Sequence, residues 1–209
     1  MKTRTITSGA AMAALALVLA FLPLSFPFPP IPFLRFDPAE IPVFAALIGF
    51  GPYSAWTAAI VYYFVLLAVG EFTPIGPSMK FLAVASAMIG FWMMSRMFAG
   101  KGIRTLLFSG LMAATVLRVF VMTAANYVVL AILFPEFLQF ATNTLSMFLG
   151  SPLQPNQEGL FFVLAFTAIY NILHMPFTII PAFLILKAVH RTKALGTTWA
   201  PWLIQTAKK

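Results

Sequence analysis

Residues 104–134 read RTLLFSGLMAATVLRVFVMTAANYVVLAILF, an apolar run in which Arg118 is the single charged residue after Arg104. A helix crosses the hydrocarbon core of a bilayer with about 20 apolar residues at a rise of about 1.5 Å each. This run exceeds that length, so it predicts one membrane-spanning helix that tilts or protrudes from the bilayer.

The composition of the whole chain agrees with a membrane environment. Of 209 residues, 61% are hydrophobic and 9% are charged, whereas soluble domains have roughly 45–50% and 25%. So few charged side chains could not cover the core of a water-soluble fold. The chain has no cysteine, which excludes a disulfide framework, a thiol nucleophile and a thiolate metal site. We therefore predict an all-α integral membrane bundle.

Proline, glycine and charged residues divide the chain into six apolar runs. They predict a six-helix bundle in a single transmembrane domain, residues 1–209, with helices at about 6–24, 39–50, 53–70, 77–98, 104–134 and 159–187. The second run is too short to cross a bilayer alone. Lys2 and Arg4 before the first run also fit a secretory signal peptide. No small-x-small cleavage site follows, however, so we retain this run as the first helix.

The charged residues fall into two groups on opposite sides of the predicted bundle. With six crossings, one side receives ten basic residues: Lys2, Arg4, Arg96, Lys101, Arg104, Lys187, Arg191, Lys193, Lys208 and Lys209. The other side receives the acidic residues: Asp37, Glu40, Glu71, Glu136 and Glu158. Cytoplasmic loops of membrane proteins carry an excess of Lys and Arg, so both termini are predicted to be cytoplasmic. The net charge of +8 is thus a topology signal, and nucleic-acid binding is not expected.

The predicted outer loop, residues 25–36, reads SFPFPPIPFLRF and combines prolines with aromatic residues. Proline favours an extended backbone without helical hydrogen bonds, so the loop should be stiff and apolar. It either lies over the mouth of a cavity or rests on the bundle surface as a connector. Asp37, Pro38 and Glu40 follow in the order of a capped helix start. Direct ligand contact is the alternative role of the two acids.

The first predicted helix carries small residues at helical spacing. Gly9, Ala13 and Ala16 form one stripe, and Ala10 and Ala14 form a second. Small residues let helices approach closely within a bilayer. The neighbour is either another helix of this chain or a separate membrane protein.

Polar residues inside membrane spans are costly and therefore candidates for function. Asn126 and Tyr127 lie in the outer half of the fifth predicted helix. Asn171 and His174 lie near the middle of the sixth, three positions apart and so on one face. Asparagine offers two donors and an acceptor, which suits a flat ligand that carries amide or heteroaromatic groups. The alternative is interhelical hydrogen bonding that holds the bundle together.

Two basic residues stand at unusual depths. Arg118 lies close to the centre of the fifth helix, and we expect no carboxylate of the chain at that depth. It would then use backbone carbonyls, water, ligand oxygens or an acid of a partner protein. Lys80, at the outer start of the fourth helix, is either interfacial or a ligand contact. No hydrolase motif and no P-loop occurs, so we predict a binding protein without enzymatic activity.

The segment from Phe26 to Val43 contains the proline-aromatic loop and the motif Arg-Phe-Asp-Pro-Ala-Glu-Ile-Pro, and the turn Gly51-Pro52 follows. This pattern resembles the substrate-binding S components of energy-coupling factor (ECF) vitamin transporters, most of all the riboflavin-binding RibU family. Asn126-Tyr127-Val128 matches an Asn-Tyr motif of that family. Asn171-Ile-Leu-His174 stands where the family has Asn-x-x-Lys.

The resemblance implies vitamin uptake across a prokaryotic plasma membrane by a multi-pass protein. S components capture a vitamin from outside and dock on a membrane coupling protein, EcfT, which two cytoplasmic ATPase subunits drive. Small residues of helix 1 form the docking face in the family, which implies this role for Gly9, Ala10, Ala13 and Ala14. The residues that contact the flavin ring correspond here to Asn126, Asn171 and His174. Further candidates for the ligand site are Phe33, Phe36, Tyr62, Tyr127 and Lys80.

Two positions depart from the family pattern and leave the ligand open. His174 replaces the usual Lys and offers a hydrogen bond without a fixed charge. Tyr62 and Tyr63 stand where the family often has Lys-Asn. Riboflavin is the first candidate, with thiamine, its pyrimidine precursor or another flavin as alternatives. Outside this class, the alternatives are a stand-alone carrier driven by an ion gradient through His174 and an assembly subunit without a small-molecule ligand.

Overall fold

The computed structural model describes residues 3–70, 72–196 and 199–208 and is mainly helical. The helices are α1 (Thr3–Phe21), α2 (Glu40–Phe50), α3 (Pro52–Val69), α4 (Ile75–Met97), α5 (Ile103–Val128), α6 (Pro135–Leu149), α7 (Gln157–Arg191) and α8 (Trp202–Ala207). A π-helical turn, Val129–Leu133, extends α5. An antiparallel hairpin of β1 (Phe26–Phe28) and β2 (Ile31–Phe36) connects α1 to α2. Lys2, Glu71 and Lys209, which entered the charge argument, lie outside the described residues.

The six predicted helices correspond to α1–α5 and α7. In the described part of the chain, five helices are long and apolar enough to cross a bilayer: α1, α3, α4, α5 with its π turn, and α7. The remaining one, α2, has 11 residues and so measures about 16 Å at 1.5 Å per residue. That is roughly half of the 30 Å hydrocarbon thickness. As predicted, α2 does not cross a bilayer alone.

The C-terminal helix α8 marks one end of the bundle. The α2–α3 turn packs against it, since a Cβ at Gly51 would lie 3.1 Å from Trp202 Cδ1. The amide of Gly100, in the α4–α5 turn, donates to Thr206 O at 3.1 Å. These two turns and α8 therefore share one end, as the charge pattern predicted for the cytoplasmic side.

The small-residue stripe of α1 packs inside the bundle against α3. Gly9, Ala13 and Ala16 are buried, and a Cβ at Gly9 would lie 2.7 Å from both Ser54 O and Thr57 Cβ. Close packing at this point requires glycine. Because Ser54 stands at the start of α3, the first half of α1 lies at the same end as α8. The start of α1 and helix α8 are thus on one side of the bundle.

Helices α6 and α8 lie outside the six predicted runs. Pro135 begins α6, and Gly150, with a left-handed φ of 68°, ends it; both are recognisable helix boundary signals. Only one face of α6 is buried, so its sequence is not a continuous apolar run. α7 is longer than predicted. It begins after Asn156, whose side chain accepts from Gly159 N at 3.0 Å, and it continues to Arg191.

Candidate functional site

A partly open cavity of about 760 Å³ lies at the end of the bundle opposite α8. Its rim is formed by the hairpin, residues 72–76 and α6, and its walls by α4, α5 and α7. Aromatic rings and methionines line much of it, whereas the polar side chains collect on α2, α5 and α7. Cavities of about 300–1,000 Å³ with apolar walls and a few placed polar groups are typical small-molecule sites.

The proline-rich loop forms one edge of this cavity, which was one of the two predicted arrangements. Arg35 fastens the base of the hairpin by donating from Nε to Ser25 Oγ and from Nη2 to Ser25 O, both at 2.9 Å. Tyr170 of α7 donates to Arg35 O at 2.6 Å. The rings of Phe33 and Phe140 lie 5.8 Å apart, so the hairpin also contacts α6. The loop is therefore held from two sides at the cavity rim.

Arg118 and Glu40 form a buried ion pair that lines the cavity. Arg118 Nη1 donates to Glu40 Oε2 at 2.6 Å and Nη2 to Oε1 at 3.2 Å. The two residues are 2% and 1% exposed. Guanidinium–carboxylate pairs with two parallel hydrogen bonds are among the strongest polar contacts in proteins. This pair provides a fixed polar anchor between α2 and α5.

The expectation that no carboxylate stands at the depth of Arg118 was wrong. α2 ends at the side of α8 and spans only about 16 Å at 1.5 Å per residue, so its first residue, Glu40, reaches the middle of the bundle. Glu40 stands in the first turn of α2, as predicted, but its carboxylate makes no capping hydrogen bond and pairs with Arg118 instead. Asp37 Oδ1 does accept a hydrogen bond from Ala39 N at 2.8 Å, just before the first residue of α2.

Asn171 and His174 of α7 join the same cluster. Arg118 Nε donates to Asn171 Oδ1 at 2.9 Å, and Nη2 donates to His174 Nδ1 at 3.3 Å. Asn171 Nδ2 donates in turn to Thr167 O at 2.9 Å. Because arginine can only donate, His174 Nδ1 accepts, and the proton of a neutral imidazole stands on Nε2. Among the described residues, His174 Nε2 has no hydrogen-bond partner.

Lys80 and Asp37 form a second ion pair on the cavity wall. Lys80 thus contacts the end of the hairpin segment and also faces the cavity, so it is more than an interfacial residue. Its ammonium lies 5.3 Å from the centre of the Tyr62 ring, a distance at which a cation is attracted to an aromatic face.

Five of the predicted ligand residues line the cavity: Phe33, Lys80, Asn126, Asn171 and His174. Asn126 donates from Nδ2 to Met122 O at 2.7 Å, which leaves its side-chain carbonyl free for a ligand. Three predicted residues lie elsewhere. Phe36 is buried behind the wall with its ring centre 5.6 Å from that of His174. Tyr62 is buried beside α4, and Tyr127 is 49% exposed on the outer face of α5.

The two small-residue stripes of α1 face different surroundings. Gly9 and Ala13 are buried against α3, whereas Ala10 and Ala14 are exposed. The predicted docking residues therefore divide into an internal packing pair and an outward-facing pair. An exposed pair four positions apart on one helix is the arrangement that permits close approach of a second membrane protein.

Several lining residues were not predicted as site residues. The aromatic side chains of Phe137 and Phe140 come from α6, and Tyr170 comes from α7. Glu40 and Asp37 were considered mainly as helix caps. The short length of the second apolar run was the signal that could have placed Glu40 at mid-depth.

Comparison with known proteins supports the resemblance found in the sequence. No family model matches the chain. The riboflavin transporter RibU of Staphylococcus aureus (strain TCH60) is 29% identical over 166 residues, which cover 77% of this chain and 85% of the relative. A solved structure described as "Structure and mechanism of the S component of a bacterial ECF transporter" superposes with a TM-score of 0.68 at 21% identity. That superposition covers 92% of this chain and 98% of the other.

The two similarities agree with the helical architecture. At 21% identity the solved structure shows the fold, and the sequence relative adds a likeness over most of the chain. The chain is thus a multi-pass protein of the prokaryotic plasma membrane and not an enzyme, with the fold of an ECF-transporter S component and the predicted resemblance to RibU.

Proposed function

We propose that this chain is the riboflavin-binding S component of an ECF importer. It captures the vitamin from outside in the cavity beneath the hairpin. It then delivers the vitamin through EcfT, which two ECF ATPase subunits drive. The observation that carries this proposal is a cavity with aromatic walls and a polar floor in a chain that resembles a riboflavin transporter.

The shape and chemistry of the cavity suit an isoalloxazine ring. A flat tricyclic ring is best accommodated by apolar and aromatic walls with a few placed hydrogen-bonding groups at one edge. Part of the cavity wall is aromatic and is formed by Phe33, Phe137 and Phe140. Asn126, half-buried with an unused carbonyl oxygen, supplies an acceptor for a ring N–H.

The polar floor of the cavity, formed by Glu40, Arg118, Asn171 and His174, would contact the ring through its residues on α7. Asn171 uses its carbonyl on Arg118 and one amide hydrogen on Thr167 O, so its second amide hydrogen remains for a ligand carbonyl. His174 contributes a donor at Nε2, which is buried 3.9 Å from Glu40 Oε2 and has no hydrogen-bond partner among the described residues. Phe36 packs behind His174 and supports it from outside the cavity.

The outward pair on α1 is the proposed docking surface for EcfT. Ala10 and Ala14 are exposed and lie one helical turn apart, which allows a partner helix to approach the α1 backbone. Gly9 and Ala13 serve the bundle itself. This division gives each of the two stripes a separate role.

The visible absorption spectrum of protein purified in detergent tests the proposal directly. Purified protein should be yellow with flavin bands near one flavin per chain, and protein stripped of ligand should bind added riboflavin with saturation. Thermal unfolding in detergent, with and without riboflavin, provides an independent measure because a ligand that binds only the folded state stabilises it. A colourless preparation that neither binds riboflavin nor gains stability from it would contradict the assignment.

A further inference from the structure

We propose that Arg118, through its ion pair with Glu40, makes the cavity select an uncharged ligand and reject a cationic one. The inference rests on the proposed function, because it concerns the same cavity and the class of vitamin that the cavity accepts. It bears directly on the choice between riboflavin, which is uncharged at neutral pH, and thiamine, which carries a quaternary thiazolium cation.

The acidic side chains of the cavity wall are already neutralised. Among the described residues that line the cavity, Glu40 is paired with Arg118 and Asp37 with Lys80. Arg35 adds another positive charge at the rim. A ligand with a fixed positive charge therefore finds no free carboxylate on this wall. To gain a counter-ion it would have to displace a basic side chain.

Because the Arg118–Glu40 pair is buried, its charges act strongly on a charged ligand. Arg118 and Glu40 are almost fully buried, so water and salt screen them much less than they screen surface charges. Removing Arg118 would leave Glu40 as a buried carboxylate whose remaining neighbour is His174, with Nε2 3.9 Å from Glu40 Oε2. A neutral imidazole does not supply a counter-charge, so this state is strongly unfavourable. A cationic ligand would relieve that state by taking the place of the guanidinium. Arg118 is thus a specificity-determining residue.

The same guanidinium also orients the two neighbours that face the ligand. It donates to Asn171 Oδ1 and to His174 Nδ1, which fixes the direction of the amide and the tautomer of the imidazole. Lysine would keep the positive charge but lacks this planar fork. Arg118→Lys and Arg118→Gln therefore separate the effect of the charge from the effect of the orientation.

The test measures the binding of riboflavin and of thiamine to the full chain in detergent by calorimetry. The variants are Arg118→Gln, Arg118→Lys and the double variant Arg118→Gln/Glu40→Gln. Arg104→Gln is the control, because it removes an exposed positive charge from the same helix, α5, at a position that does not line the cavity. Wild type, Arg118→Lys, the double variant and the control should all reject thiamine. Arg118→Gln should bind thiamine at least tenfold more tightly than wild type does and riboflavin at least tenfold more weakly.

The outcomes separate this inference from the proposed function. Folded Arg118→Gln that rejects thiamine as wild type does would overturn the inference and leave the riboflavin assignment intact. Wild type that binds another uncharged vitamin, while Arg118→Gln gains thiamine, would overturn the riboflavin assignment and support the inference. Thiamine binding by wild type would overturn both.

A second measurement covers the case in which Arg118→Gln does not fold alone. The variant is then purified in the presence of thiamine or of riboflavin. If monodisperse protein is recovered with thiamine but not with riboflavin, the inference is supported, because the cation replaces the lost guanidinium. Failure of thiamine to improve recovery overturns it.

Discussion

Arg118 and Glu40 are 78 positions apart in the chain, yet their side chains meet in an ion pair with contacts of 2.6 and 3.2 Å. The pair exists because α2 begins at Glu40 and is only about half as long as a full span. It brings a carboxylate to the middle of α5. The desolvation of two buried charges is compensated only while both are present. The cavity floor and the packing of α2 on α5 therefore depend on each other.

Removing one partner of this pair should destabilise the fold. Glu40→Leu leaves the Arg118 guanidinium buried without a counter-ion, which costs about 3–5 kcal/mol. The double variant Glu40→Leu/Arg118→Leu removes both charges and should recover most of the lost stability. Thermal unfolding of the three proteins in the same detergent measures the difference.

The matched control for this experiment is an exposed arginine. Arg35→Gln removes hydrogen bonds at the surface of the hairpin, and exposed polar contacts contribute about 1 kcal/mol or less. A double variant as unstable as Glu40→Leu alone would mean that the pair does not act as a charge-compensated unit.

Adjacent residues on α5 provide a second test. Asn126→Ala removes a side chain that lines the cavity, so riboflavin affinity should fall by about 1–3 kcal/mol if a buried hydrogen bond is lost. That loss corresponds to roughly 5- to 150-fold in Kd. Tyr127→Ala changes the next residue, which faces outward, and affinity should stay within about twofold of wild type. Fluorescence titration with riboflavin checks both, and equal losses in the two variants would contradict the cavity assignment.

The membrane architecture was predictable because lipid imposes a simple rule on sequence. Each span needs a long apolar run, and the runs that became α1, α3, α4, α5 and α7 met that rule. The separation of basic from acidic residues then oriented the bundle. α6 did not meet the rule, because a helix at the rim buries only one face and needs no continuous apolar sequence.

Asn126, Asn171 and His174 could be singled out from the sequence because polar groups inside spans are rare, and the structure places all three on the cavity wall. The partner of Arg118 was missed because the depth of Glu40 follows from the length of α2 and from the hairpin before it, which are tertiary properties. Tyr127 was grouped with Asn126 as its neighbour in sequence. Consecutive helical residues point about 100° apart at 3.6 residues per turn, and only Asn126 reaches the cavity.

The two stripes of α1 should separate folding from partner binding. Gly9→Val places side-chain atoms within 3 Å of Ser54 O and Thr57 Cβ, so we expect a loss of stability of at least about 1–3 kcal/mol. Ala14→Leu enlarges an exposed side chain and should leave the free energy of unfolding within about 0.5 kcal/mol of wild type. Riboflavin binding should also persist in Ala14→Leu, while co-purification with EcfT and the ATPase subunits decreases. Normal co-purification by a stable Ala14→Leu protein would place the docking surface elsewhere.

The hydroxyl of Tyr170 should control how long the ligand stays bound. It donates to Arg35 O at 2.6 Å and so ties the hairpin to α7 at the cavity rim. Tyr170→Phe keeps the ring in the wall and removes only this hydrogen bond, worth about 0.5–1.5 kcal/mol. Riboflavin should therefore dissociate about 2- to 10-fold faster in a stopped-flow displacement experiment, and the free protein should lose no more than about 1.5 kcal/mol of stability. Tyr53→Phe is the control, since Tyr53 is exposed and does not line the cavity. An unchanged dissociation rate in Tyr170→Phe would show that the hairpin does not limit ligand release.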